Sequence, residues 1–330
     1  MAMKKNIDDI AALAGVAKST VSRYLNGGYV SDATKRKIKK VIEETNYEPN
    51  AFAQSLKAKR TNFIGVIAPR LDSYATSKTL IGIDEELKRQ HCNLFIAHTG
   101  RHVEREWEYL YSFARQKVGG IILLATEMTT RHKEIINEIG LPVLIVGQQW
   151  EGLHCLVHDD DQAGWMMGKH VVGKGHRRIA YLGVTEKDIA VGVKRRDGFR
   201  RAVRQGNPSE VRYYETSFAM EEAMEETKRI MDEYRPTVIV CATDNIAFGA
   251  MKAILREGLS IPADVSVTGF GGYDISGVVH PSLTTVRFEY KEVGKKAAAS
   301  VIRMMNEEEI PLLQVSPFQL IEGESVRTWT

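Results

Sequence analysis

Cysteine is scarce: Cys92, Cys155 and Cys241 are the three in 330 residues. They are odd in number, far apart and without a Cys-x-x-Cys pair, which excludes a disulfide framework and argues for reduced thiols filling the core of a cytosolic protein. Long apolar runs are missing and no leader precedes the first helical pattern, so neither membrane spanning nor secretion is expected. Catalytic signatures are missing too. No nucleophile elbow or triad spacing occurs. Gly164-x-x-x-Gly168-Lys169 is one residue short of a phosphate-binding loop and lacks the following Ser or Thr. Gly173-Lys174-Gly175-His176-Arg177-Arg178 follows a helical pattern rather than opening one, so it reads as a helix-ending turn. His154, His158 and the acids Asp159, Asp160 and Asp161 lack a second cluster and read as an acidic turn before a helix. No enzyme, metal or cofactor is therefore expected.

Net charge is also small, +3, but it is unevenly placed. Residues 1–60 hold twelve Lys and Arg against six Asp and Glu, a net +6 that leaves the other 270 residues at −3. A basic head on a slightly acidic body is the electrostatic footprint of a nucleic-acid-binding protein.

That head reads as a helix-turn-helix. Ile7, Ile10, Ala11 and Ala14 form the apolar stripe of a first helix. Asn6 is its expected N-cap, Asp8 and Asp9 suit its first turn, and Gly15 ends it. A second helix, about Lys18 to Leu25, turns Val21 and Leu25 inward and leaves Lys18, Ser19, Ser22 and Arg23 to reach base edges and phosphates. After Asn26-Gly27-Gly28, Ser31 caps a third helix to about Thr45, with Ile38, Val41 and Ile42 inside and Lys35, Arg36, Lys37, Lys39 and Lys40 outside. Asn46 to Asn50 is a stop signal and a second cap. Ala51 to Leu56 is helical in composition but too short to be stable alone, as suits an order–disorder switch.

Beyond Thr61, short apolar runs alternate with amphipathic stretches. Phe63–Ala68, Asn93–Ala97, Gly120–Leu124 and Pro142–Val146 read as buried strands with helices between them. The cycle restarts from Gln162, with strands at Arg178–Gly183, Val211–Tyr214, Thr237–Cys241 and Val265–Phe270. Two such units imply parallel sheets covered on both faces, with a cleft at the carboxyl ends of the strands.

Residues 5–60 resemble the DNA-binding head and hinge of the lactose/galactose repressor family of bacterial transcription regulators. The matching residues are Asp9-Ile10-Ala11, Gly15-Val16, Thr20-Val21-Ser22-Arg23, Leu25-Asn26-Gly27, Tyr47-x-Pro49-Asn50 and Ala53-x-x-Leu56, and the later chain matches as well. The resemblance implies an all-α helix-turn-helix head (1–49), a hinge helix (50–61) and an α/β core (62–330) of two periplasmic-binding-protein-like subdomains. The N-subdomain is expected over about 62–160 and 291–318 and the C-subdomain over about 161–290 and 319–330, with crossings near Asp160, Tyr290 and Phe318.

By the same resemblance Lys18, Ser19 and Arg23 fall at base-reading positions, Thr20, Asn26, Tyr47 and Asn50 position phosphates, and Ala53 and Leu56 bind DNA from the hinge, with Leu56 the minor-groove wedge. Ala17 departs from the Ser that often contacts phosphate there. Effector ligands are implied at Arg70, Asp72, Ser73 and Tyr74, at Arg195, at Phe218 and at Asp244, the last at a motif that can also be structural. Gly271-Gly272 follows Phe270 where many members carry Asp, so the effector is not expected to be held as in the simplest sugar repressors. Arg70-Leu71-Asp72-Ser73 and Gly269-Phe270-Gly271-Gly272-Tyr273 resemble sucrose- and trehalose-responsive members, and Arg70 with Arg195 would clamp a phosphorylated disaccharide. The expected function is a cytoplasmic repressor of sugar-utilisation genes, most like sucrose-operon repressors. It would bind a pseudo-palindromic operator as a homodimer and be released by a sugar or sugar phosphate. Leu312, Leu313 and Val315 are too few for a tetramer zipper. A co-repressor-activated regulator and a carbohydrate-binding protein without a regulatory role stay open beside that reading.

Overall fold

The backbone N–H groups of Asp8 and Asp9 donate to Asn6 Oδ1 at 2.8 and 3.1 Å, and the Asn6 N–H donates to Asp9 Oδ2 at 2.8 Å. This reciprocal cap opens α1 (Ile7–Ala14), and Gly15 closes it in the left-handed region at φ 63°. Helices α2 (Lys18–Leu25) and α3 (Asp32–Thr45) follow, with the Thr34 N–H donating to the Ser31 hydroxyl at 3.4 Å. Ile10, Ala11, Ala14, Val21 and Ile38 form the buried centre, ringed by Val16, Leu25, Val41, Ile42 and Tyr47. These are the positions that the 3.6-residue period selects.

The computed structural model describes residues 5–25, 28–45, 47, 61–205 and 210–329. Contacts divide the chain into two compact units, Met1–Thr61 and Asn62–Thr330. The expected hinge helix lies outside the described residues.

The second unit holds two six-stranded sheets with the helices packed on them. The first has the order β11-β5-β4-β3-β1-β2, from β1 (Phe63–Ala68), β2 (Asn93–His98), β3 (Gly120–Leu124), β4 (Val143–Val146), β5 (His154–His158) and β11 (Leu313–Ser316). The second has the order β12-β10-β9-β8-β6-β7, from β6 (Arg178–Gly183), β7 (Glu210–Glu215), β8 (Val238–Cys241), β9 (Ser266–Gly271), β10 (Thr284–Phe288) and β12 (Phe318–Ile321). All pairings are parallel except β10 with β12. The central strands are apolar on both faces. Ile64 and Val66 point into one layer with Ile83 and Leu87, while Ile67 points into the other with Leu110 and Phe113. That is why they read as unbroken apolar runs rather than alternating ones.

Helices α4 (Tyr74–Arg89), α5 (Val103–Arg115), α6 (Thr130–Ile139) and α11 (Tyr290–Met305) serve the first subdomain. Helices α7 (Asp160–Gly173), α8 (Arg196–Gln205), α9 (Met220–Glu233) and α10 (Asp244–Arg256) serve the second. The chain crosses between subdomains after β5, after β10 and between β11 and β12. Glycines let helices pack closely in both subdomains. A Cβ on Gly82 would lie 1.9 Å from Lys291 O, and one on Gly294 2.0 Å from Thr79 O, joining α4 to α11. A Cβ on Gly164 would meet Arg195 O at 1.9 Å, and one on Gly198 Asp161 O at 1.9 Å, joining α7 to α8 and the π-helical turn (Ile189–Arg195) before it.

The loop-like Gly164-x-x-x-Gly168 is thus a helix-packing face. The expected acidic turn at His154–Asp161 is corrected: His154–His158 is β5, because Cys155, Leu156 and Val157 are buried beside β4. Asp159 then caps α7, accepting the Gln162 N–H at 3.2 Å. Cys155 and Cys241 are buried and Cys92 is half-buried, all as free thiols. Among the described residues no helix is long and apolar enough to cross a membrane, and no cluster of three His, Cys, Asp or Glu could hold a metal ion.

Candidate functional site

In the first unit, α2 exposes Lys18, Ser19 and Arg23 and half-buries Thr20 and Ser22. Ala17 stands where a capping side chain would, and only its carbonyl serves the first turn, accepting the Thr20 N–H at 2.8 Å and the Val21 N–H at 3.2 Å. Lys18 Nζ is paired with Asp8 Oδ2 at 2.7 Å, both well exposed, so bulk water screens the pair and a phosphate or base edge can replace it. The outer face of α3 is partly neutralised by Lys39–Glu43 and Lys40–Glu44 pairs at 3.8 and 3.7 Å. Arg23 makes no ion pair among the described residues. Tyr47 packs against the small core, and burial raises its phenol pKa. Asn26, Asn50, Ala53 and Leu56 lie outside the described residues.

In the second unit, a cavity of about 1000 Å³ opens between the two subdomains. Its wall comes from the carboxyl ends of the strands: Arg70 and Asp72 to Thr76 after β1, Arg101 after β2, Asp188 after β6, Phe218 after β7 and Tyr273 after β9. Ligand-bearing loops gather there because only the strand ends of such sheets are free of covering helices. Arg70 grips Asp72 with two bonds, Nε to Oδ1 and Nη2 to Oδ2, each 2.7 Å. Those bonds hold the Asp72 carboxyl below its usual range. Contacts that bridge the cleft include the Arg101 guanidinium 5.0 Å over the Phe218 ring, Gln148 Nε2 donating to Asp188 Oδ1 at 2.8 Å, and the Tyr74 ring stacked 4.3 Å from Tyr273. Asn245 Nδ2 donates to Phe218 O at 2.7 Å and fixes that loop.

Residues 6–50 match the model for bacterial regulatory proteins of the lacI family, and residues 169–326 match a periplasmic binding protein-like domain. The chain is 40% identical to a sucrose operon repressor of Staphylococcus xylosus over 308 residues, 93% of this chain and 95% of that one. The chain belongs to the lacI family of bacterial regulatory proteins. It is a DNA-binding transcriptional repressor, not an enzyme. It is also 29% identical to the transcriptional repressor PurR of Vibrio atlanticus, over 98% of each chain. In fold it superimposes on a lac repressor dimer bound to operator and an anti-inducer with a TM-score of 0.91, at 23% identity and over 98% of this chain and 99% of that one.

Against this lacI-family frame, Arg70, Asp72, Ser73, Tyr74 and Phe218 line the cavity. Arg195 and Asp244 do not. Arg195 is 4% exposed and lies a layer below, between the Phe270 and Phe288 rings at 4.8 and 5.1 Å. Its Nε and Nη2 donate to Asp160 Oδ1, and its Nη1 to Ala242 O at 2.5 Å. Burial works against its charge, but Asp160 more than offsets that and its pKa is raised. The expected phosphate clamp of Arg70 with Arg195 is therefore corrected: the second guanidinium on the cavity wall beside Arg70 is Arg101.

Asp244 is fully buried and accepts bonds from Thr285 Oγ1 at 2.5 Å, Ser276 Oγ at 2.7 Å and the Tyr273 N–H at 2.9 Å. It ties the turn carrying Tyr273 to the sheet. Arg101 and Asp188 escape sequence reasoning, since each stands in a short polar turn with no motif. What could have pointed to Arg101 is its place after a strand run, the position that Arg70 also holds.

Proposed function

We propose that this chain represses sucrose-utilisation genes in the cytoplasm, binding a pseudo-palindromic operator as a homodimer and leaving it when a sugar-class effector occupies the core cavity. The observation that carries the effector half is the cavity itself, a mixed apolar and polar cleft at the strand ends whose wall is shared by both subdomains. The sucrose assignment draws on the Staphylococcus xylosus relative. Dimeric operator binding draws on the lac repressor structure, which is a dimer on its operator.

In this reading Lys18, Ser19 and Arg23 meet base edges, and Thr20, Asn26, Tyr47 and Asn50 meet phosphates. Ala53 and Leu56 belong to the hinge, with Leu56 the minor-groove wedge. Arg70, Asp72, Ser73, Tyr74 and Phe218 meet the sugar from the wall. Arg195 has three of its five N–H donors engaged by Asp160 and Ala242, and the other two serve a hydroxyl that reaches the deep layer. Asp244 acts from behind, as the anchor of Tyr273. An effector that favours the DNA-free state by about 1–3 kcal/mol suffices for regulation.

Footprinting of DNA upstream of sucrose-utilisation genes tests the assignment. Protection of a two-fold symmetric site, lost on adding a sugar, is the expected result. No protection there, beside tight binding elsewhere, removes the sucrose assignment. Protection strengthened by a small molecule reverses the sign of regulation.

A further inference from the structure

Behind the cavity wall of the first subdomain lies a carboxylate that is 1% exposed. Glu106 Oε2 stands 3.0 Å from Nε2 of His132, which is wholly buried. His132 Nδ1 accepts the Thr129 N–H at 3.1 Å and lies 2.9 Å from the Thr129 hydroxyl. A backbone N–H can only donate, so the ring carries its proton on Nε2 and gives it to Glu106. Burial raises the Glu106 carboxyl pKa, and the His132 bond only partly offsets this. Matched apolar side chains would be at least as stable there, so such a pair serves geometry rather than stability. Its surroundings show which geometry. Glu106 lies in the first turn of α5, the helix that follows the wall residue Arg101. Thr129 caps α6 and ends the turn 125–129, which carries the wall residue Thr126. Thr126 O accepts from Gln148 Nε2 at 3.0 Å, and Asp188 Oδ1, in the other subdomain, accepts from the same nitrogen at 2.8 Å. Asp188 Oδ1 also accepts the Val191 N–H at 3.1 Å and so caps the π-helical turn that ends at Arg195.

We propose that Glu106 and His132 are positioning residues for closure of the cleft: they hold the turn 125–129 so that the Thr126 carbonyl aims the Gln148 amide at Asp188. Neither residue lines the cavity. They act through Thr129, Thr126 and Gln148, and the far end of that relay is the cap of a turn in the opposite subdomain. The consequence for effector affinity rests on the reading of the cavity as the effector site, whereas the relay itself does not.

Hydrogen exchange of the full chain without added ligand tests the relay, read at residues 126–129 and, across the cleft, at 189–192. Glu106→Leu removes the acceptor and should speed exchange at both segments by about fivefold, the size of one lost hydrogen bond. Glu106→Gln keeps an acceptor for the His132 Nε2–H and should leave both segments as in the parent chain. Gln148→Met cuts the relay further on and should speed 189–192 alone. Adding Glu106→Leu to Gln148→Met should speed 189–192 no further, because both changes act through one bridge. Should Glu106→Leu unfold, Glu106→Leu/His132→Leu, which strands no buried polar partner, takes its place with the same expectation. Faster exchange at 126–129 with 189–192 unchanged would reduce the pair to a local cap of α6 and overturn the proposal. Independent, multiplying effects of Glu106→Leu and Gln148→Met at 189–192 would overturn it as well. Calorimetric titration of the same variants with sucrose and sucrose 6-phosphate should show about fivefold weaker binding wherever 189–192 exchanges faster. A parent chain that binds neither sugar removes the sucrose-type effector reading, and the exchange series still decides the relay.

Discussion

Tyr74, at the start of α4, and Tyr273, after β9, stack with ring centroids 4.3 Å apart and planes 26° from parallel, one from each subdomain of the core. The same junction carries the Asp274 N–H donating to Tyr74 Oη at 3.2 Å and an exposed Lys78–Asp274 pair at 2.7 Å. The stack also walls the cavity, so whatever occupies the cavity bears on the contact between subdomains.

Tyr273→Ala should loosen that junction. An aromatic pair contributes about 0.5–1.5 kcal/mol beyond its buried area, enough to change a two-state subdomain equilibrium about two- to tenfold. Hydrogen exchange at residues 74–78 and 272–276 should speed up by that factor. Unchanged exchange at both segments would show that the stack does not hold the subdomains together.

Asp244→Ala should cost about 2–4 kcal/mol, because Thr285, Ser276 and the Tyr273 N–H lose their buried acceptor together. Urea unfolding measures the loss. Effector affinity should fall as well, although Asp244 does not touch the cavity, since the turn bearing Tyr273 is released. A stable variant with full affinity would contradict the anchoring role.

Gly164→Ala and Gly82→Ala should each destabilise by more than about 2 kcal/mol, since the added carbon would fall 1.9 Å from a backbone carbonyl oxygen on the facing helix. Neither oxygen can swing aside as a side-chain tip can. Thermal unfolding of the two variants, beside Gly173→Ala in open space, separates crowding from helix propensity.

Much of this fold is legible in the sequence. Asn6, Gly15 and Ser31 mark helix ends by chemistry that acts within four residues, and the central strands are apolar runs because both faces are buried. The outer parts are not. Strand β5 is flanked by His and Asp, and β11 exposes Leu313 and Val315 at the sheet edge, so neither carries a clear pattern. The cavity is legible as a place, at strand ends, but not as a list. Phe218 is written beside its strand, whereas the approach of Arg101 to Phe218, 117 positions on, depends on how two subdomains close. The depth of Arg195 depends on α7 and α8 meeting through Gly164 and Gly198.

Stability should fall as pH drops from 6.5 towards 4. Burial pulls the His176 imidazole down to about 4 from the ordinary 6.5, and that of His158 to about 3. Both are neutral in the fold, so the unfolded chain takes up protons first. Their contribution is intact above 6.5 and is lost as pH falls through the folded values. His176, bonded to Thr237 Oγ1 at 3.0 Å and to Arg327 O at 3.1 Å, should account for about 2–3 kcal/mol of that loss. A His176→Asn variant should flatten the dependence of the urea midpoint on pH between 7 and 4.5, and an unaltered slope would assign the loss elsewhere.

The most direct test is fluorescence anisotropy of a labelled symmetric operator bound by the full chain, titrated with sucrose 6-phosphate, trehalose 6-phosphate and the parent sugars. The account predicts tight operator binding that Arg23→Ala weakens by about 1–3 kcal/mol. It also predicts release by a sugar, with Asp72→Ala and Phe218→Ala demanding more sugar for the same release. Operator binding that no sugar alters, with the cavity variants indistinguishable from the parent chain, would contradict the claim that this cavity controls the DNA-binding head.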